Sequence, residues 1–149
     1  MKGRVSEAGL DAWRTFLRAH AAVVSRIEGD LVGGGLVPLT WYDVLVAVDS
    51  APAGRIRMSA LAGKLVLTRS GATRLVDKLE RARLVRRETA AEDRRGAFAT
   101  LTVRGRQALR LAWPVYARGI NELFLAHLSD REVTSLARAL ERVRRAATR

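Results

Sequence analysis

The chain has 149 residues, with 27 Lys and Arg against 15 Asp and Glu, a formal net charge of +12. That length fits one domain with a sizeable core. The absence of cysteine excludes disulfides, thiolate zinc sites and cysteine redox sensing. His20 and His127 lie far apart in sequence, which argues against a histidine-rich metal site, and no cofactor is implied. Residues 1–10 are polar and charged, and no stretch offers the ~20 consecutive apolar residues of a spanning helix. The expectation is a cytoplasmic protein with no membrane partner.

Taken in order, Leu10, Trp13, Leu17, Ala21, Val24, Ile27 and Leu31 recur at steps of three and four. They predict one helical stripe over about 11–31, widened by Phe16 and His20. Gly33, Gly34 and Gly35 end it. A stripe this long and aromatic calls for a helical partner, including one from a second subunit. A second helix follows Pro38, with Thr40 as its expected N-cap and Asp43 at the third helical position. Trp41, Val44, Leu45 and Val48 form its apolar side. Residues 50–54, SAPAG, break it, and Arg55-Ile56-Arg57 is a short extended stretch.

The centre of the chain carries the chemistry. Ser59 is expected to cap a brief helix through Leu65, and Thr68 a second over about 69–82. On the second, Ala72, Leu75, Val76 and Leu79 must face a core. Arg69, Ser70, Thr73, Arg74, Asp77 and Lys78 are left on the open side. Small hydroxyls and arginines suit an element entering a major groove, where Arg binds guanine or phosphate bidentately. Gly71 costs helix stability but removes bulk where another backbone approaches. Residues 84–89 then read as a strand, 90–96 as a polar tip, and Ala97, Ala99, Leu101 and Val103 alternate as a half-buried strand. This hairpin carries Asp93, Arg94 and Arg95 at its apex, a wing that places arginine over a minor groove. Between Gly54 and Arg106 there are 14 Lys and Arg against 5 Asp and Glu, so +9 of the +12 sits here. Such a block points to a polyanion.

Thr102 is expected to cap a long helix reaching about 128, kinked at Pro114. Ser129-Asp130-Arg131-Glu132 is a capping box opening a last helix, with a basic tail, 142–149, expected to fray.

The order of elements resembles the multiple-antibiotic-resistance regulator (MarR) family, and the residues do too. MSALAGKL is similar to the family's first helix of the helix-turn-helix. LTRSGATRLVDKLERARLVRR is similar to its recognition helix and first wing strand. Asp93, Arg95, Leu101 and Thr102 fit its wing pattern, and Gly105 its next glycine. WYDVLVAV resembles its second helix. The resemblance covers about 13–140. It implies a mainly α fold with a small β-hairpin wing. This would be one domain over 1–149, with a winged helix-turn-helix over about 40–103 and dimerisation helices over about 8–32 and 103–147. The implied function is a dimeric regulator, a repressor, of transcription binding a pseudo-palindromic DNA operator. Lys64, Thr68, Arg69, Ser70, Thr73, Arg74, Lys78, Arg94 and Arg95 would contact DNA, while Asp93 would organise the wing. One position departs from the family: Arg83 stands where Gly usually permits a left-handed helix end.

The resemblance also implies release of DNA by a small anionic, often aromatic, ligand. Trp13, Phe16, His20, Trp41, Asp43, Arg74 and Arg87 are its candidate binders, the arginines for the anion and tryptophan for a planar ring. A second reading of these residues stays open: the aromatics as core or interface, His20 as a packed histidine, and Asp43 as a complement to its helix end or a partner of Arg74. No nucleophile-and-base set or phosphate-binding glycine loop suggests an enzyme. A non-specific architectural DNA- or RNA-binding protein is the rival reading, since it would share the basic block.

Overall fold

A computed structural model describes residues 5–65, 67–90 and 93–148, without the side chains of 90 and 93–95. The helices are α1 (Glu7–Gly33), α2 (Leu39–Asp49), α3 (Met58–Lys64), α4 (Arg69–Arg81), α5 (Val103–Leu123) and α6 (Asp130–Ala147). The strands are β1 (Arg55–Arg57), β2 (Val85–Ala90) and β3 (Asp93–Leu101). The expected class is found: mainly helical, with a small antiparallel sheet. The sheet has three strands in the order β1-β3-β2, because the extended stretch at 55–57 pairs with β3. No helix is long and apolar enough to cross a membrane among the described residues.

Two compact units divide the chain, residues 28–115 and residues 1–27 with 116–149. In the first, Val44, Leu45 and Val48 of α2, Leu61 of α3, Val76 and Leu79 of α4, and Val85, Ala99 and Leu101 of the sheet form one core. Alternation decides the sheet's contribution. Ile56, Val85, Ala99 and Leu101 share the inner face, and the residues between them point outward.

In the other unit, Ile27 lies against Gly119 of α5, where an added Cβ would come within 2.6 Å of Ile27 Cγ1. The glycine therefore sets how closely α1 and α5 approach. Trp13, Phe16 and Leu17, in contrast, remain largely exposed along α1, as does Val143 on α6.

Helix ends differ from expectation in instructive ways. The helix α2 starts one residue early, at Leu39, with Pro38 and not Thr40 before it. Its first amide donates to Glu28 Oε2 at 2.6 Å, so a carboxylate from α1 supplies the cap. Asp43 consequently falls later than the third helical position. Similarly, α3 begins at Met58 directly out of β1, without a side-chain cap from Ser59. Thr68 does cap α4, accepting from the Gly71 amide at 3.1 Å. The Ser129–Glu132 capping box is fully formed. The basic tail continues as helix through Ala147, with Arg144 and Arg145 both bonded to Glu141. The helix α5 runs through Pro114 to Leu123 and is followed by a tight turn, Leu125–His127.

The departure at Arg83 is resolved in favour of the usual geometry. Arg83 has φ of +60°. Its amide donates to Glu80 O at 2.9 Å and the Leu84 amide to Leu79 O at 2.9 Å. This is the pair of bonds that closes a helix through a left-handed residue. Gly35 closes α1 in the same way, with bonds from Gly35 to Val32 and from Leu36 to Leu31. Arg83 adopts the conformation although its Cβ disfavours it.

Candidate nucleic-acid interface

The helix α4 is strongly two-sided. Ala72, Val76 and Leu79 are buried, while Thr68, Arg69, Ser70, Thr73, Arg74 and Lys78 are exposed or half-exposed, as is Lys64 at the end of α3. The open side is therefore one polar, basic strip, except that Asp77, expected on it, is half-buried and paired with Arg87. Its hydroxyls are partly committed. Thr68 Oγ1 holds the helix cap and lies 3.2 Å from Ser70 Oγ. Thr73 donates to Arg69 O at 2.9 Å, which leaves its oxygen lone pairs to face outward. Gly71 serves the cap: an added Cβ would sit 3.1 Å from Thr68 Oγ1.

What holds this strip in place is Arg87. In the register of the sheet it opposes Ala99, on the inner face, and so points at α4. Its Nη2 bonds Asp77 Oδ1 at 2.5 Å and Thr73 O at 3.3 Å, its Nη1 bonds Glu80 Oε2 at 3.2 Å, and its amide bonds Glu80 Oε1 at 3.1 Å. Asp77 and Glu80 are the two acids of α4. One arginine from the wing strand thus neutralises both, and the helix presents its cations without their counter-charge.

The remaining ligand candidates fall in different places. Asp43 and Arg74 line one cavity of about 510 Å³ together with Thr40, Leu75 and Lys78. No ion pair joins Asp43 to Arg74 among the described residues. Burial, and secondarily the nearby Glu28 carboxylate, pushes the Asp43 carboxyl above the usual range. Trp41 lines a second cavity with Ala82, Leu84 and Arg104. In the other unit, Trp13, Phe16 and His20 form a row of rings on α1, with centroids 6.0 and 6.3 Å apart. Phe16 and His20 there line an apolar cavity of about 240 Å³ with Phe124, Leu136 and Leu140. The wing-tip residues Asp93, Arg94 and Arg95 start β3, but their side chains lie outside the described residues.

One grouping is not evident from the sequence. The guanidinium carbons of Arg55 and Arg57 lie 5.0 and 4.8 Å from the centroid of the Phe98 ring. The alternation Arg-Ile-Arg signals it, but only once β1 is known to pair with β3.

A helix-turn-helix with one basic, exposed face, flanked by a three-stranded sheet and hairpin, defines a winged helix-turn-helix DNA-binding protein. Comparison with known proteins makes this specific. Residues 35–96 match the model of the MarR family. Over 139 residues the chain is 34% identical to the HTH-type transcriptional regulator MhqR of Bacillus subtilis, covering 93% of each chain. Among solved structures, AbsC, a MarR family transcriptional regulator from Streptomyces coelicolor, superposes with a TM-score of 0.91 at 29% identity over 99% of both chains. Sco3205 from the same organism, solved in complex with DNA, gives 0.91 at 27% identity, over 98% of this chain and 91% of its own. The chain belongs to the MarR family. It is a DNA-binding transcriptional regulator and not an enzyme.

Proposed function

We propose that the chain acts as a homodimeric repressor that reads a pseudo-palindromic operator and is released by a small organic anion. The carrying observation is the exposed basic strip of α4, whose only acids are taken up by Arg87. On this reading Ser70, Thr73 and Arg74 face base edges, while Lys64, Thr68, Arg69 and Lys78 engage the backbone. Arg94 or Arg95 enters the minor groove, with Asp93 organising the wing. Sco3205, a relative of matching fold, is known in complex with DNA, which supports the mode of binding.

Two features support the finer parts. Trp13 is 54% exposed and Val143 62%, more large apolar surface than a free helix face tolerates, and a second copy would cover it. The helices α1, α5 and α6 then form the dimerising region, and 28–115 holds the DNA-reading region. The cavity that holds Arg74 and Lys78 beside Asp43 supports anion binding, and Arg74 would couple ligand to DNA by serving both.

Selection of duplexes from a randomised pool tests the reading. The expected product is a two-fold pseudo-palindrome with half-sites ~34 Å apart, one DNA turn, bound in the presence of excess random DNA. A lone asymmetric site, or binding titrated away by random DNA, overturns it in favour of architectural binding.

A further inference from the structure

The charge excess of the chain lies in two blocks. Beside the +9 of 54–106, residues 130–149 carry six Arg against three Asp and Glu, a surplus of +3 that completes the +12. The rest of the chain is balanced. This second block is α6 and the residues that follow it, in the unit formed by residues 1–27 and 116–149, whereas α4 belongs to residues 28–115. Arg131, Arg138, Arg142 and Arg145 recur at steps of seven, four and three, which places them on one helical stripe. All four are exposed. Leu136 and Leu140, on the opposite side of the helix, line the apolar cavity with Phe16 and Phe124, so the stripe faces away from that packing.

The acids of α6 do not serve the stripe. Asp130 and Glu132 stand in its first turn, where the helix end favours them. Glu132 Oε2 accepts from Ser129 N at 2.8 Å and from Ser129 Oγ at 2.7 Å. Glu141, three residues beyond Arg138, accepts instead from Arg144 Nε at 2.7 Å and Arg145 Nε at 2.6 Å. Arg131, Arg138 and Arg142 take part in no ion pair among the described residues. Like charges four apart, as at Arg138 and Arg142, destabilise a helix, and the acid nearest to them is turned elsewhere. Every cation of α6 is arginine and none is lysine. A guanidinium forks onto two phosphate oxygens, whereas an ammonium is a point charge. From Arg131 to Arg145 the stripe runs ~21 Å, and duplex DNA carries one charge per ~1.7 Å of its axis. A rigid row of that length meets several phosphates at once.

We infer that Arg131, Arg138, Arg142 and Arg145 form a second DNA-binding surface, which grips the phosphates of a duplex segment other than the one read by α4. The inference goes beyond the reading above and rests only on DNA being the partner. The segment is a flank of the bound duplex or a separate duplex. Its chemistry is the same in both cases, and the contact is independent of sequence.

The test compares wild type with a triple variant, Arg131→Gln, Arg138→Gln and Arg142→Gln. A duplex selected by the wild type from a random pool is used trimmed to its half-sites and again with long random flanks. Protein saturated with the trimmed duplex is also offered a labelled scrambled duplex, and its capture is titrated against salt. The triple variant should bind the trimmed duplex as wild type does. On the flanked duplex, or in the capture, it should bind more weakly. There the slope of log K against log salt should fall by roughly 0.9 for each phosphate no longer neutralised. Weakening on the flanked duplex identifies a flank as the segment held, and weakening in the capture a separate duplex. Arg14→Gln with Arg18→Gln and Arg118→Gln removes as much charge from exposed positions off the stripe and should leave both arms unchanged. The three arginines of α6 are exposed, so Gln is expected to leave the melting temperature unchanged. If the triple variant melts early, each single variant carries the same test. Equal weakening by the control overturns the surface, since net charge then suffices, and so does a loss of the same size on the trimmed duplex. A wild type that gains nothing from flanks and captures no second duplex overturns it too, and leaves an acidic protein as the partner that fits the stripe. A pool that yields no preferred duplex overturns the sequence-specific reading, while capture by protein saturated with any short duplex still tests the stripe.

Discussion

Thr102 Oγ1 donates to the Arg83 carbonyl at 2.7 Å and accepts from the Gly105 amide at 2.9 Å. One hydroxyl thereby caps α5 and ties its start to the left-handed end of α4. Thr102→Ala should cost about 2 kcal/mol, from a missing cap and a carbonyl deprived of its donor, and Thr102→Ser should retain most of it. Gly105→Ala should be worse, about 3 kcal/mol or more. Its Cβ would fall 2.0 Å from Leu84 O, a backbone atom that cannot swing aside. Denaturant unfolding measures both, and a Gly105→Ala protein as stable as wild type would refute the close approach.

Arg83 holds φ of +60° without being glycine. Arg83→Gly should raise stability by about 0.5–1 kcal/mol. Relief of the left-handed strain outweighs the greater freedom of Gly in the unfolded chain. Arg83→Ala keeps the Cβ and should gain nothing, which separates the backbone effect from removal of the cation. Thermal melts of the two variants decide it.

Arg87 is the sole cation bonded to both Asp77 and Glu80 among the described residues. Arg87→Met should lower stability by about 2 kcal/mol, since two half-buried carboxylates lose a charged partner. It should also weaken DNA binding generally, because α4 regains two negative charges. Adding Glu80→Gln should recover part of both effects, with a coupling of about 1 kcal/mol in a double-mutant cycle. Strict additivity would show that the ion pair is idle.

Asp43 gives a pH signature. Its carboxyl titrates above the ordinary value, chiefly through burial and then through Glu28. A raised folded-state pKa means that the protonated form is favoured by folding. The associated stability is fully present below the unfolded value of 3.8 and is lost as pH rises through the folded one. Asp43→Asn should therefore match or exceed wild type in melting temperature at neutral pH, and the difference should vanish on acidification below about pH 4. Part of the group remains open to solvent, so the effect is modest. A variant less stable at neutral pH would show that the carboxylate has a favourable partner.

Much of the fold is legible because periodicity is local. The buried row Ala72, Val76 and Leu79 and the caps Thr68 and Ser129 follow from spacing alone. What escapes the sequence depends on distant partners. Glu28 caps α2 from 11 residues upstream, and nothing local distinguishes it from the nearer candidate Thr40. The direction of Arg87 depends on which strand positions face inward, and that parity is fixed only by pairing with β3. The same pairing brings Phe98 beneath Arg55 and Arg57. Gly71 suggests room for another backbone, whereas the nearest atom is its own helix cap.

The closure of α4 at both ends has a thermodynamic consequence. Thr68 holds its first turn and the Arg83 turn its last, so its 13 residues form a stiff rod of ~20 Å before any partner arrives. Association then includes no coil-to-helix ordering of this element. The heat-capacity change attributable to α4 reports only the surface it dehydrates, and a calorimetric signature of coupled folding would have to originate elsewhere in the chain.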